Sequence, residues 1–223
     1  MTNQLNNLNL LFDHAALKPD VTEQAITKLC NEAVEHKFFA VAVNTCWVRT
    51  AAELVRSTNV KVVSTVGFPL GANRTDIKTD EAARAVSDGA DEIDMVANIG
   101  WLKSGEFTKV EQEIKDVRKS VPFNVLLKVI IECSLLTKLE QISAVKAVIN
   151  GGAQFVKTGT GFSGGVTPEQ VKILFEAIGG QIDVKASGGI KTAGQCQKLI
   201  ECGASRLGSS SSVAIVQEQQ QLT

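Results

Sequence analysis

Short apolar runs rich in β-branched residues recur along the chain, and each is followed by a segment whose apolar residues repeat with a helical period. Eight such runs occur, at a spacing of roughly 25 to 30 residues, which is typical of a strand followed by a crossover helix. No Pro-, Gly- or Ser-rich linker separates them. The candidate strands are Leu10–His14, Phe38–Asn44, Lys61–Gly67, Glu92–Val96, Asn124–Ile131, Gln154–Thr158, Ile182–Ser187 and Ser205–Ser209.

This alternation predicts an α/β fold, a single (β/α)8 TIM barrel with a parallel eight-stranded core, formed by residues 1–223 as one domain. Residues 1–9 are expected to form an N-terminal extension, and the Gln-rich residues 217–223 a frayed tail. The first strand has a competing interpretation, because the residues around Leu10–His14 would also suit an N-terminal helix.

Helix ends are predicted from capping residues. A threonine side chain can accept a hydrogen bond from the first turn, and Thr137 with Glu140 three residues later forms a capping-box pattern. A glycine after three of the helices would turn the chain back toward a strand. The threonines are Thr22, Thr137 and Thr167, and the glycine segments are Asp88–Ala90, Asn150–Ala153 and Glu201–Ala204.

Composition narrows the class of protein. The chain is 44% hydrophobic and 21% charged with a formal net charge of −1, and no Lys/Arg cluster exceeds two residues, so neither nucleic acid nor a membrane surface is an expected partner. Met1–Leu10 lacks Lys, Arg and a long apolar run, and the longest apolar run, Phe38–Val43, is too short to span a bilayer. We therefore expect a cytoplasmic protein.

A metal centre built from Cys and His is not expected. The chain has five cysteines and two histidines, and no Cys-x-x-Cys pair provides the ligand spacing of structural zinc. The sequence thus favours metal-free chemistry with no metal site, unless carboxylates bind Mg²⁺.

Charged residues stand late in five of the predicted strands. Each alone is better explained as a strand-end charge that reaches water or a neighbouring partner. Together, however, they would converge at the carboxyl end of one barrel, where each charge perturbs the protonation of the others. These residues are Asp13, Asp94, Lys128, Lys157 and Lys185.

Lys157 is the candidate nucleophile. It follows the apolar Phe155-Val156 and precedes a Gly- and Thr-rich segment. A partly desolvated lysine beside a second ammonium, such as that of Lys185, has a pKa lowered from about 10.4, so a free amine is present near neutral pH. A neutral amine attacks a carbonyl to form an imine, and Asp94 could then move the protons.

Two glycine-rich segments end the last two predicted strands, where barrels of this type frequently bind phosphate. One such segment alone is better explained as an ordinary turn, whereas two adjacent segments favour an anion site made of backbone N–H groups. The segments are Ser187–Ile190 and Leu207–Ser211.

Six segments, in order along the chain, resemble the deoxyribose-phosphate aldolase family of class I aldolases, and the similarity covers nearly the whole chain. They are Asp13-His14-x-x-Leu17-Lys18-Pro19, Val66-Gly67-Phe68-Pro69-Leu70-Gly71, Gly89-Ala90-Asp91-Glu92-Ile93-Asp94-Met95-Val96, Leu127-Lys128-Val129-Ile130-Ile131-Glu132, Phe155-Val156-Lys157-Thr158-x-Thr160-Gly161-Phe162 and Val184-Lys185-Ala186-Ser187-Gly188-Gly189-Ile190.

The resemblance implies reversible cleavage of 2-deoxy-D-ribose 5-phosphate to acetaldehyde and D-glyceraldehyde 3-phosphate, without a cofactor, in deoxyribonucleoside catabolism. It implies that Lys157 forms the Schiff base, that Lys185 lowers the pKa of Lys157, and that Asp94 donates and accepts protons. Asp13 and Lys128 match positions that line the pocket. The positions that match the phosphate pocket are Gly161, Gly188, Gly189, Gly208, Ser209, Ser210 and Ser211.

Some positions depart from the family pattern. Ala15 stands where a threonine is expected, Thr45 stands where a proline is expected, and the loop over residues 159–167 is one residue short. The chain has no tyrosine, so a C-terminal tyrosine cannot relay protons. We expect a homo-oligomer, with a dimer favoured. The open alternatives are another class I aldolase and a non-catalytic sugar-phosphate binder.

Overall fold

The computed structural model describes residues 7–222, and its strands form one closed barrel in which each strand pairs in parallel with the next along the chain and the eighth pairs with the first. The predicted TIM barrel is therefore confirmed. The strands are β1 Phe12–Ala16, β2 Ala40–Val43, β3 Lys61–Val66, β4 Glu92–Val96, β5 Leu126–Ile130, β6 Phe155–Lys157, β7 Asp183–Ser187 and β8 Arg206–Ser209.

Helices cover the outside of the barrel and connect its strands. They are α1 Glu23–Glu35, α2 Val48–Val55, α3 Thr75–Ser87, α4 Ile99–Lys103, α5 Phe107–Ser120, α6 Lys138–Asn150, α7 Pro168–Ile178, α8 Ala193–Glu201 and α9 Ser212–Leu222. Short 3-10 turns occur at Leu8–Leu11, Thr45–Trp47 and Cys133–Leu135. Within residues 7–222, no helix combines the length and the apolar character that crossing a membrane requires.

The two faces of each strand serve different purposes. In β4, Ile93 and Met95 belong to the main apolar core between strands and helices, whereas the alternate residues Glu92 and Asp94 are buried charges. Side chains alternate across a strand, so these carboxylates point into the barrel. The outward face stabilises the fold, and the inward face is available for chemistry.

Strand register places charged residues side by side inside the barrel. Asp94 is in register with Lys128 of β5, and Lys157 of β6 is in register with Lys185 of β7. Residues paired in this way on parallel strands lie on the same face of the sheet. The barrel therefore assembles, from neighbouring strands, charges that are far apart in sequence.

The first strand differs from its expected position. Strand β1 starts at Phe12, two residues after the predicted start, because Leu8–Leu11 forms a 3-10 turn whose Leu8 is buried in the core. The other seven strands lie within their predicted segments.

Two further expectations concern the ends of the chain: an N-terminal extension over residues 1–9 and a frayed tail over residues 217–223. Residues 217–222 continue helix α9, and Glu218 Oε2 accepts a hydrogen bond of 2.8 Å from the Ala193 N–H at the start of α8. Residues 1–6 of the expected extension, together with Thr223, lie outside the described residues.

The predicted helix caps are confirmed. Each of the three threonines accepts a hydrogen bond from the first turn of its helix, and Thr137 and Glu140 form a reciprocal capping box. The expected glycines have left-handed φ values of 109° at Gly89, 83° at Gly152 and 108° at Gly203.

Replacing Gly203 with Ala should lower the free energy of unfolding by about 1 to 2 kcal/mol. The alanine would need an unfavourable φ of 108°, and its Cβ would lie 2.2 Å from Phe175 Cγ. Urea unfolding measures the change. Gly194→Ala is the control, because Gly194 lies in helix α8 with open space around it. Gly194→Ala should leave the free energy of unfolding unchanged or slightly higher. Equal losses in the two variants would contradict the role of Gly203 as a glycine required by its backbone conformation.

Candidate active site

The structure brings the five predicted charged residues together inside the barrel. Asp13, Asp94 and Lys128 are fully buried, and Lys157 and Lys185 are 3% and 1% exposed. A buried charge is strongly disfavoured unless an opposite charge compensates it. Their mutual contacts therefore decide which groups stay ionised.

Asp94 is at the centre of these contacts. Its Oδ2 accepts hydrogen bonds of 2.7 Å from both Lys157 Nζ and Lys185 Nζ, and its Oδ1 accepts one of 2.8 Å from Lys128 Nζ. Burial alone would raise the pKa of Asp94, but the three ammonium groups outweigh burial and hold the pKa well below its usual value. Asp94 is thus a carboxylate that three lysines share.

Asp13 forms a second ion-pair centre. It accepts a hydrogen bond from Lys185 Nζ, and its Oδ1 lies 2.9 Å from Arg206 Nη1. Lys128 Nζ is 3.9 Å from Asp13 Oδ2. Burial would raise the pKa of Asp13, yet these cations lower it. Asp13 is therefore the second carboxylate, beside Asp94, that compensates Lys185.

Two further charged residues, Glu92 and Arg206, contact these groups but were not predicted as site residues from the sequence. Glu92 Oε2 lies 2.6 Å from Lys128 Nζ and 3.3 Å from Arg206 Nη1. The Arg206 guanidinium also stacks over the Phe39 ring, 3.5 Å from its centre, which is a cation–π contact. Glu92 and Arg206 therefore extend the charge network toward the other end of the barrel.

A period of two along the strands could have revealed both residues. Glu92 stands two positions before Asp94, and Arg206 stands two positions before Gly208. Residues two apart in a strand face the same side. Each therefore faces the interior, as the predicted site residue on its strand does.

The interior charge cluster contains four cations and three carboxylates. Within the described chain, Lys128 contacts three carboxylates and Lys185 contacts two, whereas Lys157 contacts only Asp94. Lys157 is therefore the lysine of this cluster with the fewest carboxylate contacts. The cluster consists of Asp13, Glu92, Asp94, Lys128, Lys157, Lys185 and Arg206.

The pKa values of Lys157 and Lys128 shift in opposite directions. Burial lowers the pKa of Lys157 to about 8; Asp94 opposes this shift, and the positive charges of Lys185 and Lys128 add to it. Burial would also lower the pKa of Lys128, but Asp94, Asp13 and Glu92 raise it above its usual value. A neutral amine is consequently accessible at Lys157 near neutral pH, while Lys128 remains an ammonium group.

A cavity of about 740 Å³ opens above the cluster. Asp13, Lys157 and Lys185 lie on its wall, whereas Asp94 and Lys128 do not. The remaining predicted positions all line the same cavity, namely Gly161, Gly188, Gly189, Gly208, Ser209, Ser210 and Ser211. The structure thus places an amine and two glycine-rich loops around one space.

The loops after β6 and β7 approach each other closely. Gly161 and Gly188 have left-handed φ values of 86° and 109°, and a Cβ on Gly188 would lie 3.0 Å from the Gly164 carbonyl oxygen. Ser209 Oγ donates to the Ile190 carbonyl and accepts from the Ser211 N–H, so its hydroxyl holds the loop after β8. Helix α9, which begins at Ser212, therefore follows directly on the cavity-lining residues of this loop.

Two departures from the expected pattern have clear positions. Ala15 lines the cavity, where its small side chain leaves room. Thr45 Oγ1 donates to Glu81 Oε1 at 2.7 Å and lies 3.0 Å from the Thr65 carbonyl oxygen. Glu81 Oε2 also accepts from the Gly67 N–H at 2.8 Å. Thr45 thus joins the ends of β2 and β3 outside the cavity wall.

Comparison with known proteins places this site in a family. A model of the DeoC/LacD family of aldolases matches residues 8–214. The chain belongs to this family. It is 49% identical to the deoxyribose-phosphate aldolase of Natranaerobius thermophilus, over 96% of this chain and 98% of that protein. It is 46% identical to the deoxyribose-phosphate aldolase of Brevibacillus brevis, over 94% and 95% of the two chains.

Solved structures agree with this placement. The aldolase QR15 superposes with a TM-score of 0.92 at 38% identity, over 96% of each chain. The deoxyribose phosphate aldolase of Aeropyrum pernix, described as a tetramer, superposes with a TM-score of 0.92 at 28% identity, over 99% of this chain and 94% of that chain. The likeness therefore extends from sequence to the whole barrel of this DeoC/LacD family aldolase.

The charge contacts predict opposite pKa changes at Lys157 in two variants. Lys185→Leu removes a neighbouring positive charge and should raise the pKa of Lys157. Asp94→Asn removes the one carboxylate that contacts Lys157 within residues 7–222, and should lower that pKa. The pH dependence of acylation at Lys157, followed by peptide mass spectrometry, measures both shifts.

Labelling at Lys146, which is exposed on α6, normalises the samples. Circular dichroism checks that each variant is folded. Shifts in the same direction in both variants, or no shift in either, would show that neighbouring charges do not set the pKa of Lys157.

Proposed function

We propose that this protein is a deoxyribose-phosphate aldolase that cleaves 2-deoxy-D-ribose 5-phosphate reversibly through an imine on Lys157. The observation that carries the proposal is the position of Lys157, a buried amine with one carboxylate partner on the wall of a cavity that ends in glycine-rich loops. The names of its relatives in the family support the substrate.

The first step is attack by the neutral Lys157 amine on the C1 aldehyde of the open-chain sugar. The carbinolamine that forms loses water and gives a protonated imine, which withdraws electrons from the neighbouring carbon. Asp94 Oδ2, 2.7 Å from Lys157 Nζ, is positioned to take up and return the protons of this step. Lys185 contacts the same oxygen and can relay them.

The second step breaks the bond between C2 and C3. The C3 hydroxyl gives its proton to Asp94 through a water, and its oxygen forms the aldehyde of D-glyceraldehyde 3-phosphate. The electron pair of the C2–C3 bond enters the iminium to form an enamine. Protonation of the enamine at C2 and hydrolysis of the imine release acetaldehyde and restore Lys157. Asp13 holds Lys185, and Lys128 compensates Asp94, while these changes occur.

The phosphate is proposed to lie between the loops after β6, β7 and β8. Glycines allow backbone N–H groups to approach the anion, and the positive end of the α9 dipole favours its charge. The residues proposed for this role are Gly161, Gly188, Gly189, Gly208, Ser209, Ser210 and Ser211.

The proposal also includes the domain organisation, the cellular compartment and the oligomeric state of the enzyme. We place the activity in one barrel domain, in the cytoplasm, and in a homo-oligomer. All five cysteines are free thiols, which fits a reducing compartment. A non-catalytic binder would have no use for a lysine with a pKa near 8 beside a shared carboxylate.

Borohydride added with acetaldehyde should leave an ethyl group on Lys157, and Lys157→Ala should abolish the adduct and lower kcat/KM by on the order of 10³-fold or more. Peptide mass spectrometry and an assay of acetaldehyde release measure the two effects. Lys146→Ala, which removes an exposed lysine, should keep both adduct and activity. EDTA should change neither.

Substantial turnover by Lys157→Ala, or an adduct on another lysine, would refute the Schiff-base role. An adduct without cleavage of 2-deoxy-D-ribose 5-phosphate would instead identify another class I aldolase. Phosphate binding without any adduct would identify a non-catalytic binder.

A further inference from the structure

Glu132 is a buried carboxylate that the proposed mechanism does not use. It lies between β5 and the turn Cys133–Leu135 and is 3% exposed. Its backbone is left-handed, with φ 54° and ψ 66°, a conformation that residues with a side chain seldom adopt. Glu132 thus combines a strained backbone with a buried charge, next to the loop that follows Lys157. Such strain is usually retained where the residue has a function.

The Glu132 carboxylate holds the loop after Lys157. Its Oε2 accepts hydrogen bonds from the Thr160 N–H at 3.1 Å and from Thr160 Oγ1 at 2.5 Å. Thr160 Oγ1 in turn accepts from the Phe162 N–H at 3.0 Å. Gly161 lies between these two residues, so the carboxylate fixes the backbone on both sides of a proposed phosphate-binding glycine.

Hydrogen bonds join the same loop to the loop after β7. Thr158 Oγ1 donates to the Ser187 carbonyl and accepts from the Ser187 N–H, both at 3.0 Å. Ser187 Oγ donates to the Gly159 carbonyl at 2.6 Å. A Cβ on Gly161 would lie 3.5 Å from Gly188 Cα. A change at the Glu132 carboxylate would therefore affect the positions of both glycine loops.

Glu132 does not reach the substrate space itself. It is not among the residues that line the cavity of about 740 Å³, but lies behind the loop, where Gly159 leaves room for it: a Cβ on Gly159 would be 2.6 Å from Glu132 Oε1. A carboxylate in contact with a phosphate would repel it. Its geometry thus suits positioning of the loop and excludes direct contact with the anion.

We propose that Glu132 is a positioning residue for phosphate recognition, which holds residues Thr160–Phe162 so that Gly161 and the adjoining loop face the substrate phosphate. The inference rests on the proposed function for the identity of the substrate. Recognition of the phosphate then depends on Glu132, whereas imine formation at Lys157 does not.

Glu132→Leu tests the proposal with two sugars. KM for 2-deoxy-D-ribose 5-phosphate should rise about tenfold, because two partly buried donors of Thr160 lose their acceptor. KM for unphosphorylated 2-deoxy-D-ribose and the amount of acetaldehyde adduct trapped on Lys157 should stay unchanged. Binding of inorganic phosphate, measured by isothermal titration calorimetry, should weaken about tenfold as well.

Two further variants separate positioning from a general structural effect. Glu132→Gln should restore most of the phosphate affinity, since both Thr160 donors use one oxygen that an amide can replace. Thr160→Val should raise KM for the phosphorylated sugar alone, and adding it to Glu132→Leu should cause little further loss.

Glu113→Gln is the matched control. Glu113 is 1% exposed and bonds to Lys78 and to the Asn98 N–H, away from the glycine loops. Any effect of this variant should fall equally on both sugars.

Equal changes for both sugars in Glu132→Leu, or no change for either, would overturn the proposal. Should Glu132→Leu fail to fold, Thr160→Val decides: an unchanged KM for the phosphorylated sugar overturns it. Failure of the proposed function has a different signature, since the wild-type protein would bind inorganic phosphate without cleaving 2-deoxy-D-ribose 5-phosphate. The phosphate titration would then decide the role of Glu132 by itself.

Discussion

One carboxylate, that of Asp94, is shared by three ammonium groups in the closed interior of the barrel. Burial makes each of these charges costly, so every one depends on its neighbours. Lys128 and Lys185 have additional carboxylate partners in Glu92 and Asp13, whereas Lys157 has no second one among the residues that the structure describes. The unequal distribution of carboxylates therefore singles out one lysine as a free amine near neutral pH, and burial supplies the largest part of its pKa shift.

The barrel makes this arrangement possible because its strands have two distinct faces. Outward residues such as Ile93 and Met95 pack in the apolar core, which leaves the inward positions free to hold ions. Parallel pairing puts Asp94 in register with Lys128 and Lys157 in register with Lys185, on four consecutive strands. The loops that follow these strands lie at the same end of the barrel, so an amine and the proposed phosphate loops share one cavity.

Much of this could be predicted from the sequence, since charges that interrupt apolar strands are conspicuous, and helix caps have local patterns. Glu92 and Arg206 were missed because they stand at the starts of strands, where a charge usually reaches water. The shift of β1 depended on whether Leu8 joins the core. The roles of Glu132 and of the Thr45–Glu81 contact could not be predicted, because both depend on how segments distant in sequence come together. The number of carboxylates that contact each lysine could not be predicted from the sequence either.

The most direct test is an NMR titration of the lysine side chains in the unmodified protein, with the Lys157 signal assigned by its loss in Lys157→Ala. The account predicts a midpoint of about 8 for Lys157. A midpoint near that of a solvated lysine, about 10.4, would contradict it, because Lys157 would then be an ammonium group near neutral pH, where the proposed imine must form.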